Sequence, residues 1–399
     1  MIIKEKNLFF VNSAIKLLGS GVISSLGFIL FSSNTFEFIE FNIVIDLLII
    51  LQIHTIGLTI TKLSYDSISY SHYINNPNIK PKVINFILRK SLILALPIFV
   101  FSIYRFNILI AVLVFINVLL DQYSNLIVNQ LNFRHLFKPA FILNFMSYPL
   151  FFITIIFISY IINIDLKYYV IIFSICLFFK SFTSFIYYKN ILCEIEIDLI
   201  PKWNMGFQQI LNYILFKSDT IIISLPLVIV TSFNINKSEI LEVLYLSRFP
   251  ELVSGITLSL SVLYYPRYIF ENGRELFKLI NLKELITYLL FTLIFYWVFL
   301  LFWKHSKELQ MHNIVFYFLN GFLVIFCNLI SFNLIKIEKY SFLFYNLMIS
   351  CFVGVLFFFI NYVIDLNFVF AIVPLQMVIF ILFFIFKFKH QQRNIFLND

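Results

Sequence analysis

Twelve apolar stretches, each close to the length of a membrane-spanning helix, constrain this chain more than any other feature. A helix needs about 20 mostly apolar residues to cross the hydrocarbon core. Of the 399 residues, 61% are hydrophobic and 13% are charged, which is more apolar surface than a soluble fold can cover. The sequence therefore predicts an all-α, polytopic membrane protein with helices near residues 9–31, 38–60, 84–104, 106–129, 141–162, 168–188, 206–230, 240–264, 284–303, 313–335, 341–362 and 367–387.

Lysine and arginine are concentrated in alternate loops. With the N-terminus in the cytoplasm, the cytoplasmic segments carry 20 of these residues and the opposite side carries five. Cytoplasmic loops of membrane proteins show this excess, so the count predicts that both termini are cytoplasmic. The net charge of +8 is explained by loops facing anionic lipid, without any nucleic-acid partner.

The two longest cytoplasmic loops, near 61–83 and 265–283, follow the second and the eighth span. This spacing predicts two six-helix halves of similar plan, 1–190 and 191–399. Because six is even, both halves enter the membrane from the same side. Parallel repeats of this kind are related by an axis along the membrane normal, with a path between them.

Several classes of site are not supported by the sequence. The four cysteines are scattered without a CxxC motif, and the six histidines show no metal-ligand spacing. The sequence contains no GxGxxG, P-loop or nucleophile-elbow motif. We therefore expect no metal, no cofactor and no catalytic residue. The first apolar stretch is interrupted by Lys16 and lacks a cleavage site, so we interpret it as a retained span.

The first span carries a small, polar stripe formed by Ser13, Lys16, Ser20 and Ser24. At about 100° per residue these positions share one face of a helix. The functional interpretation is a cavity wall in which Lys16 binds an anion. The alternative is tight helix packing through small residues, with Lys16 extending to the cytoplasmic interface.

The fourth span carries Asn117, Asp121, Asn125 and Asn129 at intervals of four. This spacing makes one face polar over its inner half. Charged groups inside a membrane are costly and often mark ion pathways, so Asp121 is a candidate for coupling a proton or Na⁺, with Asn125 lining the cavity. The alternative is a hydrogen-bond ladder that only holds the helices together.

The seventh span is polar on two faces. Asn212 and Asp219 lie on one face together with Gln208, and Lys217 lies opposite. Lys217 and Asp219 are about 200° apart, so they cannot pair directly. A helix that is polar on both sides fits a central position, which makes Lys217 a candidate substrate-binding residue, Asp219 an ion-coupling residue and Asn212 a cavity-lining residue.

The eighth span carries Arg248 and Glu251, which neighbour each other on a helix. One interpretation is a local salt bridge that neutralises both. The other is that Arg248 binds phosphate, to which its planar guanidinium is suited, while Glu251 couples an ion. His54 in the second span is interpreted as a hydrogen-bonded packing residue rather than a proton relay. Lys180 in the sixth span is predicted to extend to the interface.

Four segments resemble the polysaccharide flippases of the Wzx type, in the multidrug/oligosaccharidyl-lipid/polysaccharide exporter superfamily. The first two spans are similar in SAIKLLGSGVISSLGFILFS and NTFEFIEFNIVIDLLIILQIHTIGLTITKL, where a long helix ends in Gly57-Leu58. The seventh is similar in LNYILFKSDTIIISLPLVIV, and the eighth in LEVLYLSRFPELVSGITLSLSVLYYPRY with its Pro266-Arg267 pair. The family usually has a glycine in the turn after the first span, where this chain reads Glu-Phe-Ile-Glu-Phe.

The resemblance implies translocation of undecaprenyl-pyrophosphate-linked oligosaccharide repeat units across the bacterial inner membrane. Lys16, Lys217 and Arg248 would form a cationic cavity for the anionic headgroup, while the prenyl tail stays in lipid. The implied partners are this lipid-linked oligosaccharide, membrane lipids, H⁺ or Na⁺ as coupling ion, and the polymerase and chain-length proteins of a surface polysaccharide pathway such as O-antigen of lipopolysaccharide. No enzymatic activity is implied.

Three other classes remain open: a membrane enzyme, which would be a polymerase or a glycosyltransferase, a drug exporter and a membrane scaffold. An O-antigen polymerase is expected to have a large outer loop with basic residues, which this chain lacks. A membrane glycosyltransferase is expected to have acidic residues in an early outer loop, where Glu37 and Glu40 lie without a further catalytic cluster. A drug exporter of the same superfamily would favour acidic residues for cationic drugs, whereas the first and seventh spans offer lysines. A membrane scaffold would not need inward polar stripes.

Overall fold

The computed structural model describes residues 39–62, 79–81, 83–133, 136–162, 164–191 and 195–197, isolated positions between 315 and 360, and residues 375–386. The chain divides into two compact units, Met1–Gly206 and Phe207–Asp399, and each is described by itself. The two six-helix halves, 1–190 and 191–399, stay a prediction, as do the cytoplasmic termini.

The described part of the first unit is a bundle of helices. They are α1 (Phe41–Lys62), α2 (Val83–Arg105), α3 (Ile108–Phe133), α4 (Phe137–Phe145), α5 (Tyr148–Ile161) and α6 (Leu166–Ile191). By length and composition, the segments Val83–Arg105, Ile108–Leu131, Lys138–Ile161 and Leu166–Lys189 can each cross a membrane. These four confirm the spans predicted near 84–104, 106–129, 141–162 and 168–188. The apolar part of α1, Asn42–Leu58, is shorter.

Helix α3 is the central helix of the described bundle, because it contacts α1, α2, α4 and α6. It follows α2 after a turn at Phe106 and Asn107, and the Asn107 Oδ1 atom accepts a hydrogen bond from the Ile110 N–H at 2.9 Å. An asparagine at this position satisfies one of the unpaired N–H groups of a new helix turn. The predicted boundary between these two spans is therefore confirmed.

The outer surface of the bundle is apolar, whereas its interior contains buried polar side chains as well as an apolar core. On α6, Phe178 and Phe182 expose more than half of their surface, whereas Lys180 and Ser184 on the opposite face are buried. Large apolar side chains such as Leu88 and Phe157 are also exposed on α2 and α5. A soluble protein rarely exposes such a continuous apolar surface, whereas lipid solvates it without cost.

Two irregularities interrupt the spans. Residues Ile87–Ser91 of α2 form a π-helical turn, and the Ser91 hydroxyl donates to the Thr61 carbonyl of α1 at 3.4 Å. The span Lys138–Ile161 breaks at a turn between α4 and α5, where the Ser147 hydroxyl donates to the Asn144 carbonyl at 2.7 Å. Pro149 follows in the first turn of α5. Because proline has no N–H to donate, it favours a helix start there over continuation of α4.

A short parallel sheet was not predicted. Strands β1 (Ile79–Pro81) and β2 (Ile195–Ile197) pair in the register Ile79 with Ile195 and Pro81 with Ile197. The β1–β2 pair joins the segment before α2 to the segment after α6. The start of α2 and the end of α6 therefore lie on the same side of the bundle. The rest of the described secondary structure is helical, in agreement with the predicted class.

The described residues of the second unit make several close contacts between helices. The side-chain amide of Asn346 donates to the Phe380 carbonyl at 2.9 Å, in the helix α7 (Leu375–Phe386). Two turns after Asn346, Gly354 lies so close to Gln376 that a Cβ atom there would overlap its side chain. Small and amide side chains at helix contacts are typical of membrane bundles.

Gly57 allows α1 to approach α3 closely. A Cβ atom at this position would lie 2.7 Å from Cγ2 of Val118. We expect Gly57→Val to lower the thermal unfolding temperature of the full-length protein in detergent by several degrees, because it forces the two helices apart at a packed contact. Gly57→Val with Val118→Ala should recover most of that loss. Equal stability of wild type and Gly57→Val would contradict this packing.

Candidate functional site

Three ionisable side chains from three helices meet in the interior of the first unit. They are His54 on α1, Asp121 on α3 and Lys180 on α6, with exposed fractions of 0%, 2% and 2%. Asp121 and Lys180 each lie about midway along a 26-residue helix. If these helices span the bilayer, the cluster lies near its centre, where uncompensated charge is costly.

Asp121 and Lys180 form a buried ion pair. The Lys180 ammonium donates to Oδ1 of Asp121 at 2.5 Å and to Oδ1 of Asn125 at 3.0 Å. Asn125 follows Asp121 by one helical turn, so both acceptors project from the same face of α3. The pair is nominally neutral, which makes its burial tolerable, because an isolated ion would keep its full desolvation penalty.

A serine contact holds α3 and α6 together beside this pair. The Ser181 hydroxyl donates to the Leu120 carbonyl at 2.8 Å and lies 3.0 Å from the Ser124 hydroxyl. Small hydroxyl side chains let two helices approach closely and bond across their interface. The close approach explains how Lys180 can reach a carboxylate on the neighbouring helix.

His54 faces the other carboxylate oxygen. Its Nε2 atom lies 3.7 Å from Oδ2 of Asp121, beyond hydrogen-bonding distance. Its Nδ1 atom lies 2.8 Å from the hydroxyl of Tyr148 at the start of α5. The imidazole also packs edge-on against Phe173, with ring centroids 5.1 Å apart. The helix break before Pro149 places Tyr148 at a helix start, from which its hydroxyl reaches α1.

More polar groups are buried on α3 than the ion pair uses. Within the described part of the chain, the side-chain amides of Asn117 and Gln122 are buried and make no hydrogen bond. An unsatisfied amide is expensive in an apolar environment and adds nothing to helix association. These two amides therefore take no part in the hydrogen bonds that join α3 to the neighbouring helices.

The structure assigns places to some of the predicted residues. Asp121 and Asn125 meet at one ion pair, and the polar face of α3 points inward, as predicted. His54 makes the predicted hydrogen bond and packing contacts, whereas the prediction that it is not a proton relay is not tested by them. The prediction that Lys180 extends to the interface is wrong, because its ammonium is bound inside the bundle by Asp121. The remaining candidate residues lie outside the described residues: Lys16, Lys217, Arg248, Asp219, Glu251, Ser13, Ser20, Ser24 and Asn212.

Sequence reasoning missed Lys180 although a signal was present. Lys180, Ser181 and Ser184 fall within about 100° of one another on α6, opposite Phe178 and Phe182. A lysine inside such a polar arc points away from lipid. Tyr148 had no comparable signal, because its role depends on the break between α4 and α5.

These observations define a helical membrane protein that contains a buried group of ionisable side chains. Among the described residues, no group of three or more histidine, cysteine, aspartate or glutamate side chains is arranged to hold a metal ion. Comparison of the chain with protein-family models, curated proteins and solved structures gives no match.

Proposed function

We propose that this protein translocates undecaprenyl-pyrophosphate-linked oligosaccharide repeat units across the bacterial inner membrane, using an ion gradient. The observation that carries the proposal is the buried cluster of Asp121, Lys180 and His54. Helix association in lipid needs only small and weakly polar side chains. Ionisable groups deep in a membrane bundle are typical of ion pathways and transporters. The cluster therefore supports ion-coupled transport over a scaffold.

The Asp121–Lys180 pair gives such a transporter two states. In the first, Lys180 neutralises Asp121 and ties α6 to α3. In the second, a cation from solution neutralises Asp121 and releases Lys180. Exchange between these two states changes the contact between α3 and α6, and the Asp121 carboxylate is neutralised in both. A gradient of that cation can then drive a change in helix packing.

The remaining parts of the proposal come from the sequence. Twelve helices in two six-helix halves, with both termini cytoplasmic, would enclose a central path. Lys16, Lys217 and Arg248 would bind the pyrophosphate in that path. Ser13, Ser20, Ser24 and Asn212 would line it, and Asp219 and Glu251 would add ion-coupling groups. The prenyl chain would remain among the membrane lipids.

The sidedness of lipid-linked oligosaccharide in cells lacking this protein tests the proposal. The glycan is labelled from outside in whole cells, and again after the inner membrane has been opened. We expect single repeat units to be labelled only after opening, because without the transporter they stay on the cytoplasmic face. Restoring the wild-type protein should return the label to whole cells. Single units that reach the outer face but are never lengthened would indicate a polymerase and overturn the proposal.

A further inference from the structure

The two oxygen atoms of Asp121 face nitrogen atoms of different side chains. Oδ1 accepts from Lys180 at 2.5 Å, and Oδ2 faces Nε2 of His54 at 3.7 Å. The gap to His54 exceeds a hydrogen bond by about 0.8 Å, which a small side-chain rotation or one bridging water closes. His54 is therefore in reach of a carboxylate that Lys180 already holds.

Hydroxyl groups continue this contact away from the carboxylate. Nδ1 of His54 lies 2.8 Å from the Tyr148 hydroxyl, which lies 3.5 Å from the Thr55 hydroxyl. The Thr55 hydroxyl in turn donates to the Leu51 carbonyl at 2.9 Å. His54 is fully buried, whereas Tyr148 and Thr55 are half-buried. Two partly exposed hydroxyl groups therefore adjoin the buried imidazole.

The neighbouring charges select one neutral form of the imidazole. A carboxylate beside Nε2 favours a proton on that atom, so Nδ1 accepts a hydrogen bond from Tyr148. Among the described residues, the ionisable groups that face His54 are Asp121 from α3, Lys180 from α6 and Tyr148 from α5. Each of the helices α3, α5 and α6 therefore supplies one side chain that interacts with a proton on the His54 imidazole.

We propose that Thr55, Tyr148 and His54 form a path that delivers a proton to Asp121, which makes the coupling ion of the proposed transporter H⁺; this inference rests on the proposed function. A proton from solvent enters by the hydroxyls and binds Nδ1 of His54, while the proton on Nε2 moves to Oδ2 of Asp121. His54 ends neutral with its proton on Nδ1. When Asp121 releases its proton along the same path, Nε2 of His54 takes that proton back and the Nδ1 proton leaves through the Tyr148 hydroxyl to solvent. One proton is taken from solvent, one carboxylate is neutralised, and Lys180 keeps its own proton.

The geometry favours a proton over Na⁺. Hard metal cations bind through several oxygen ligands. Oδ1 of Asp121 and Oδ1 of Asn125 already accept from the Lys180 ammonium, and a nitrogen atom lies next to Oδ2. A proton needs only one acceptor, so it can bind Oδ2 without a shell of oxygen ligands.

Proton binding can be followed in the full-length protein without any glycan. The protein is reconstituted in vesicles of phosphatidylethanolamine and phosphatidylglycerol, and the infrared band of protonated carboxyl groups is recorded after a rapid drop in pH. The part of this band lost in Asp121→Leu belongs to Asp121. We expect Tyr148→Phe and His54→Gln to slow its appearance at least tenfold, because each interrupts the path. Replacing Na⁺ by choline should leave both the size of the Asp121 band and its rate of appearance unchanged.

Tyr169→Phe is the matched control. Tyr169 is a buried tyrosine of the α5–α6 contact, and its hydroxyl lies 2.7 Å from that of Ser159. It belongs to no part of the path, so this variant should keep the wild-type rate. A wild-type rate in Tyr148→Phe would overturn the proposal, as would an Asp121 band that follows Na⁺ at constant pH or is missing at every pH.

A second measurement reads the wild-type protein and uses one variant of the path only to assign the signal. Nitrogen NMR of histidine-labelled wild-type protein, assigned with His54→Gln, reports which ring nitrogen carries the proton. We expect Nε2–H with Nδ1 as acceptor at neutral pH, and Nδ1–H would overturn the path. Neither readout depends on oligosaccharide, so a negative sidedness assay with slow proton binding in Tyr148→Phe would reject only the proposed function.

Discussion

Replacing Lys180 with methionine is expected to destabilise the protein by about 3 kcal/mol or more, because it leaves Asp121 as a buried carboxylate without its cation. Asp121→Leu should cost a similar amount by leaving the Lys180 ammonium buried. The double variant Asp121→Leu/Lys180→Met should recover most of the loss, since two apolar side chains need no partner. Unfolding of the full-length protein in detergent, compared across this double-mutant cycle, measures the coupling.

Lys167→Met is the control for this cycle. Lys167 lies on the same helix and contacts Asp165 at 3.5 Å, but both side chains are largely exposed. Exposed pairs contribute little, so we expect a change below about 0.5 kcal/mol. Additive losses in the Asp121/Lys180 cycle would show that the two side chains do not interact. The double variant should be folded and yet fail to translocate substrate, which separates the structural role of the pair from ion coupling.

Neutralising the three predicted substrate-binding cations is expected to reduce translocation about 100-fold or more. Lys16→Gln, Lys217→Gln and Arg248→Gln together remove the charges proposed to bind the pyrophosphate. Each lost charge-assisted contact weakens substrate binding. The three losses combine, because all three cations are proposed to contact the same pyrophosphate headgroup. The measurement is the fraction of repeat units labelled in whole cells that carry the variant as their only copy.

A variant with the same loss of charge provides the comparison. Arg89→Gln, Lys138→Gln and Lys189→Gln remove three exposed cations from span ends that the sequence predicts to be cytoplasmic. This variant should keep near wild-type translocation, provided that its orientation in the membrane is unchanged, which accessibility labelling of a terminal tag verifies. Equal translocation by both triple variants, with wild-type amounts of protein in the membrane, would reject the cationic cavity.

Much of the described fold could be predicted because hydropathy is a local property. The boundaries of α2, α3 and α6 lie within a few residues of the predicted spans, and the turn at Asn107 falls where it was placed. The inward face of α3 was also predictable, since Asn117, Asp121 and Asn125 repeat with the helical period. The break between α4 and α5 and the β1–β2 pair were not predicted, because each depends on a few polar contacts rather than on hydropathy.

The sequence by itself determined that this chain is a membrane bundle and which face of α3 is polar, since both follow from spacing along one helix. Only the tertiary structure decided which charges meet. Lys180 and Asp121 are 59 residues apart, and His54 and Tyr148 are 94 apart. Lipid solvates all apolar helix surfaces alike, so hydropathy cannot select neighbours. The close approaches at Gly57 and Ser181 and the helix start at Tyr148 select them. Those contacts place the Lys180 ammonium on one side of Asp121 and the His54 imidazole on the other.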